Sequence, residues 1–280
     1  MTPVTELSIR LNPHLTTRHI TALRHYLSET RPLTGKQWRT LFKAIDLLSE
    51  SNVWFRNQEY TFSQFYAEFV DRVHASSFLD RLYRMDDSHT EGERLRAAKA
   101  RSIVQWLRAS GLDAARIEGA EFLLVFSLYW WTSFCRGYMF ELTVFRDLEA
   151  SGIQFIPHDP RLEEERYAPN DFYLGEFRGD VKISIYFLED LVALQPTVDL
   201  YISRLYDSRR RRYQQVVFMK EQVWRHINGD TIPGTVPQAP GLFPQAISFT
   251  IRGKSWVLAE YDVWKAKVLQ FQAQTKGEEQ

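Results

Sequence analysis

Two aspartates with eight residues between them, Asp171 and Asp180, and a lysine two places after the second, Lys182, form a set able to bind a metal ion beside a cation. Asp180, Val181 and Lys182 open the run Asp180 to Phe187, rich in Ile, Tyr and Phe, which reads as a strand. Strand side chains alternate, so Asp180 and Lys182 share one face while Val181 points into packing. Asp171 heads the preceding extended run and would lie beside Asp180 across a hairpin. Two converging carboxylates can hold a hard divalent cation, and a neighbouring ammonium can polarise an attacking water and stabilise charge on a phosphate. Glu141, from a helix aimed at the same sheet edge, would add a carboxylate for a second ion or an outer-shell water.

The positioning elements are legible around this set. Gly137, Phe140, Glu141, Val144, Phe145 and Leu148 recur at helical spacing; Ser151-Gly152 ends that helix, and the apolar run Ile153 to Ile156 reads as a strand. Two short extended runs then flank Gly175 and Gly179. The loop His158 to Asn170 is charged, and His158 stays outside the catalytic set.

Residues 120 to 225 resemble the restriction-endonuclease-like nucleases, the PD-(D/E)xK superfamily, whose signature is a helix Glu, then Pro-Asp, then Asp or Glu, any residue, Lys. Glu141 resembles the helix acid, Asp171 the acid of the Pro-Asp element, and Asp180-Val181-Lys182 the second acid and lysine. The chain departs in having Asn170 before Asp171, with Pro169 one place earlier, and Asp in place of the commoner Glu at 180. The resemblance implies a Mg²⁺- or Mn²⁺-dependent endonuclease-like phosphodiesterase acting on nucleic acid, DNA in preference to RNA. Asp171 and Asp180, with the Val181 carbonyl and Glu141, would hold the ion, and Lys182 would orient or activate the water. The implied fold is α+β or α/β: an N-terminal helical region, then a restriction-endonuclease-like core with a small mixed sheet flanked by helices.

Composition bounds these readings. The 280 residues are 44% hydrophobic, enough for a substantial core, and carry 35 basic and 35 acidic side chains, so net charge argues neither for nor against nucleic acid. The single cysteine, Cys135, rules out an internal disulfide and any multi-cysteine zinc site. The seven histidines show no metal-ligand pairing. The beginning, MTPVTELSIRLNPHL, lacks a secretory pattern, and Phe122 to Phe134 is too short to span a bilayer, so a cytoplasmic protein with no membrane association is expected. The 14% aromatic content reads mainly as core.

In chain order, residues 1–115 read as a helical domain. Thr16-Thr17 and Thr34 cap its first two helices, a small hairpin turns at Arg56-Asn57, and Thr61 opens a third helix. Phe78 to Met85 adds a turn or two, Asp86 to Gly92 is a polar break, and Glu93 to Ser110 is a basic helix. Residues 116–228 form the nuclease-like core. Within it Leu188 to Tyr206 reads as a helix interrupted near Pro196, Gln214 to Met219 as a strand and 221 to 227 as a short helix. Arg209, Arg210, Arg211 and Arg212 repel one another unless an anion relieves them, and so are the candidate phosphate contacts. Residues 229–280 comprise a Pro/Gly-rich loop to Pro244, a hairpin from Ala246 to Tyr261 and a helix.

The plainer reading of the site is a cross-strand ion pair, a turn aspartate and a helix-surface acid. Two other functions compete with the nuclease: a non-catalytic nucleic-acid-binding module using the four arginines, and a platform through which the helical region forms a homo-oligomer or larger complex.

Overall fold

The computed structural model describes residues 7–28, 35–87, 89–113, 115–183, 196, 198–207, 211–229, 233–234 and 246–278. The chain is a mixed α+β protein that divides into two compact units, 1–135 and 136–280.

The first unit holds helices α1 (Thr17–Ser28) and α2 (Gly35–Ser49), and a three-stranded antiparallel sheet of β1 (Ser8–Arg10), β2 (Asn52–Phe55) and β3 (Gln58–Thr61). Thr16 Oγ1 accepts from the His19 N–H at 3.4 Å, as a cap should; the expected cap at Thr34 lies outside the described residues. Arg56 and Asn57 both have positive φ, the geometry of a two-residue hairpin turn whose twist suits its strands. Thr61 forms a reciprocal capping box with Gln64. From it run α3 (Phe62–Phe65), a π-helical turn (Tyr66–Asp71) and α4 (Arg72–Tyr83), which covers the expected Phe78 turn and starts earlier. Helix α5 (Thr90–Ala109) also starts earlier, inside the expected polar break, because Asp87 Oδ1 accepts from the His89 and Thr90 N–H groups and starts the turn. Many of the aromatics here pack in the interior: Phe55, Phe65, Phe69 and Trp106 lie ring against ring and Trp131 is fully buried, while Trp54 and Trp130 are exposed.

Helix α6 (Ala120–Ala150) carries Val144, Phe145 and Leu148 inward. It ends in a Schellman motif: Gly152, at φ +78°, donates to Glu149 O and Ile153 donates to Leu148 O. The expected strand from Ile153 to Ile156 shrinks to β4 (Ile156–Pro157). Ile153 is instead buried against the core, and Gln154 satisfies its backbone N–H and C=O on the Gln272 side chain at 2.9 and 2.8 Å, leaving no ladder to join.

The second unit is built on a seven-stranded mixed sheet in the order β4, β5 (Phe172–Leu174), β6 (Phe177–Lys182), β7 (Leu200–Asp207), β8 (Arg212–Lys220), β10 (Lys254–Glu260), β9 (Ala246–Ile251). A one-turn helix, α7 (Glu163–Arg166), precedes β5. The β6–β7 pair is parallel and every other pair antiparallel. The 246–261 hairpin forms as expected and extends this sheet, packed with helices α8 (Glu221–Asn228) and α9 (Tyr261–Glu278).

Two expectations change. Gly179 lies inside β6, which starts at Phe177; the sharp turn is at Gly175, where φ is +58°. Of the expected strand to Phe187, residues 184–187 lie outside the described residues. The expected helix over Leu188 to Tyr206 is overturned where it is described, because Leu200–Asp207 is strand β7. Its physical cause is period two: Leu200 and Ile202 enter one buried cluster, beside Val217, Met219 and Val257, while Tyr201 enters the other, beside Val216, Phe218 and Trp256. Residues 188–195 lie outside the described ones.

Candidate functional site

The hairpin β5–β6 sets the site. Phe172 pairs with Gly179, which puts Asp171 opposite Asp180, and the Asp171 N–H donates to Gly179 O at 2.9 Å. On the other side the His158 N–H donates to Asp171 O at 2.8 Å, so the Asp171 backbone is held by both neighbouring strands. Asp171 Oδ2 accepts the Val181 N–H at 2.7 Å, and the Asp180 carboxylate bears directly on the Asp171 carboxyl. Lys182 Nζ lies 2.8 Å from Asp180 Oδ1. Side-chain exposure is 45% for Lys182 and 10% for Asp180, so the ammonium meets solvent and the carboxylate lies beneath it. Val181 is buried in the core on the opposite face. The strand alternation read from Asp180-Val181-Lys182 is thus the one present.

Glu141 is buried on α6 and feels the same charges. Burial, then repulsion from Asp171 and Asp180, pushes its carboxyl well above the usual range against the pull of Lys182. Asp171 is likewise raised, by burial and then by Asp180. Lys182 loses hydration, which favours the neutral amine, yet Asp180, Asp171 and Glu141 outweigh this and hold it above the ordinary lysine range. Asp180 Oδ1 is buried and makes no hydrogen bond of good geometry, its close cation being Lys182. The four residues singled out by spacing are therefore brought into one electrostatic cluster. No family model, no curated protein and no solved structure matches this chain.

Crowded carboxylates, one with a buried oxygen whose close partner is the Lys182 ammonium, are a donor set that suits a hard cation. Among the described residues no three His, Cys, Asp or Glu side chains form a ready-made cage. A Mg²⁺ site does not need one, since that ion is commonly held by one or two carboxylates, waters and substrate phosphate. The arginine run is only partly placed: Arg211 sits at the β7–β8 turn with φ +51°, exposed Arg212 begins β8, and Arg209 and Arg210 lie outside the described residues.

Spacing did not reveal three supporting residues. Ser203, fully buried on β7, donates its hydroxyl to Lys182 O at 2.6 Å and ties the lysine to the parallel neighbour. Buried Asn170 donates to Phe172 O at 3.3 Å and lies 3.4 Å from His158 Nε2, bracing the hairpin entry. Gly179 lets the fully buried Phe172 ring lie flat on the backbone, for a Cβ there would meet ring atoms at 2.1 to 2.5 Å. Aromatic cover of a cross-strand glycine is a known register device. Gly179→Ala should cost about 1–3 kcal/mol in chemical denaturation, the range for overpacking a core, and should disturb the adjacent Asp180.

The raised carboxyls also predict a pH dependence. Glu141 and Asp171 bind protons more tightly folded than unfolded, so the stability they contribute is fully present below the ordinary carboxylate range. It is lost as pH rises from about 4 through their raised folded values. In melts without divalent cations, Glu141→Gln should flatten that decline and melt a few °C higher at neutral pH. Identical pH profiles for wild type and variant would contradict the burial and repulsion assigned to Glu141.

No described helix is long and apolar enough to cross a membrane. Cys135 is a buried thiol whose pKa burial pushes up, which makes it packing and not a nucleophile.

Proposed function

We propose that the second unit is a divalent-metal-dependent phosphodiesterase of the restriction-endonuclease-like kind, hydrolysing nucleic acid, with DNA preferred on resemblance alone. The observation that carries this reading is the cluster itself: Asp171 and Asp180 side by side across a hairpin, Lys182 2.8 Å from Asp180, and buried Glu141 in the field of all three. A mixed sheet with a helix carrying the Glu supports it.

Asp171 and Asp180 would hold Mg²⁺ or Mn²⁺, with the Val181 carbonyl and Glu141 as further oxygen donors. Bound there, the ion would polarise the phosphate and lower the pKa of an attacking water. The protein's own contribution is positioning and charge. Asp171 is locked by its backbone bonds to both neighbouring strands and by the Val181 N–H. Lys182, kept protonated by three carboxylates, presents a cation where negative charge grows on the phosphate. Glu141, made by burial a tighter proton holder than an ordinary glutamate, would give up that proton more readily when a cation arrives. Arg211 and Arg212, with Arg209 and Arg210, are proposed to anchor phosphates, positive charge being the sequence-independent part of nucleic-acid affinity.

Lys182→Met separates this reading from a purely structural ion pair. It should lower cleavage by about 10²-fold or more while leaving oligonucleotide binding within a few-fold, in paired cleavage and anisotropy assays. Undiminished cleavage in Lys182→Met would assign the lysine to structure.

A further inference from the structure

The β7–β8 hairpin carries an aromatic and basic surface that the metal cluster does not use. Tyr206 and Tyr213 are cross-strand partners with ring centroids 5.3 Å apart, and are 56% and 61% exposed. Large aromatic rings exposed to this degree at a strand pair's open end gain little from the fold. Beside them, the Arg204 guanidinium lies over the Tyr213 ring at 4.9 Å and the Phe140 ring at 5.5 Å. Its Nε is buried and has no hydrogen-bond acceptor among the described residues. Burial works against its protonated form more than the Tyr213 phenol favours it, and Arg136 adds a smaller opposing charge, a tension that a bound anion would relieve. Arg211 and Arg212 stand exposed at the same hairpin end.

Ser203 pairs with Lys182, and β7 continues three residues further to Tyr206, an odd offset that sets Arg204, Tyr206 and Tyr213 on the Val181 face of the sheet and not on the Lys182 face. The tie to the cluster is through helix α6. Phe140, under Arg204, is the neighbour of Glu141 in α6.

We infer that Tyr206 and Tyr213 form a base-stacking platform, with Arg204 as its phosphate contact, for a single-stranded or locally unpaired stretch of nucleic acid that reaches the cleavage centre past Phe140 and Glu141. The inference rests on the nuclease reading of the unit and names the form of its substrate. The argument is one of complementary chemistry: every base has a stackable face and every linkage an anionic phosphate, and this surface offers two exposed rings amid three guanidinium groups.

The test is anisotropy, without divalent cations, using the full chain and two labelled probes of equal length, oligothymidylate and an abasic oligomer with the same phosphates. The double variant Tyr206→Ala/Tyr213→Ala should bind oligothymidylate about tenfold more weakly or worse, and the abasic oligomer within about twofold of wild type. Tyr206→Phe/Tyr213→Phe, which keeps both rings, should restore most of the affinity. Arg204→Gln should weaken both probes alike and reduce the salt slope by about one. Equal loss on both probes in the double Ala variant, or no loss on either, overturns the platform. Tyrosine-dependent binding in a wild type that never cleaves would uphold the platform and sink the nuclease reading; cleavage and binding unmoved by the tyrosine variants would do the reverse.

Discussion

Asp180→Ala should abolish cleavage, by about 10²–10³-fold or more, in a protein that still folds. That magnitude is the usual cost of removing one group that stabilises transition-state charge, and Asp180 is also a proposed ion ligand. The variant keeps its fold because Asp180 supplies no backbone bond that the sheet lacks elsewhere: β6 remains paired with β5 and β7, and Val181 remains buried on the other face. What changes is the cluster. Asp171 loses its repulsive neighbour, Lys182 loses its closest carboxylate, and the pair that would grip a divalent cation becomes one. Circular dichroism and melting should match wild type closely while product formation disappears. A variant that cleaves at wild-type rate would remove Asp180 from the site.

Asp199→Ala should instead damage the framework, by on the order of 3 kcal/mol or more in chemical denaturation. Asp199 is buried where β7 begins and clamps both neighbouring strands: its carboxylate accepts the Arg178 N–H of β6 at 2.9 Å and Lys220 Nζ of β8 at 2.7 Å. Its backbone donates to Arg178 O at 2.8 Å and accepts from the Lys220 N–H at 2.9 Å. Burial alone would raise its pKa, but the Lys220 and Arg178 bonds outweigh it and hold the carboxyl below the ordinary range. That contribution is present above the ordinary carboxylate pKa and is lost as pH falls through the lowered one. Truncation leaves the Arg178 N–H and the partly buried Lys220 ammonium without their acceptor. Because the clamp sets the parallel β6–β7 register, and so Lys182 against Ser203, cleavage should fall along with stability. Unchanged denaturation midpoints would show that the strands hold their register without it.

The contrast between these two residues explains what was readable in the sequence. Glu141, Asp171, Asp180 and Lys182 stand out because chemistry demands particular types at short spacing, and because alternation in a strand and a Gly175 turn are local rules. The helix end at Gly152, the helix start at Thr61 and the Arg56-Asn57 turn were legible for the same reason. Strand β7 was misread because the stretch from Leu188 to Tyr206 shows apolar residues at mixed spacings, and its strand character is fixed by pairing with β6 and β8, both distant decisions. Gly179 looked like a turn until Phe172 was placed against it, and nothing near Asp199 announces Lys220 as its partner. The hairpin at 246–261 was legible as a hairpin, while its place in the seven-stranded sheet depends on the register of Val257 with Met219.

Whether this cluster is a metal-dependent cleavage site is decided by calorimetric titration of Mn²⁺ into wild type and an Asp171→Asn/Asp180→Asn variant, run beside cleavage of single- and double-stranded DNA and RNA. Metal binding and cleavage in wild type, both lost in the variant, is the predicted result. Wild-type protein that takes up no Mn²⁺ and cuts none of the four substrates would contradict it.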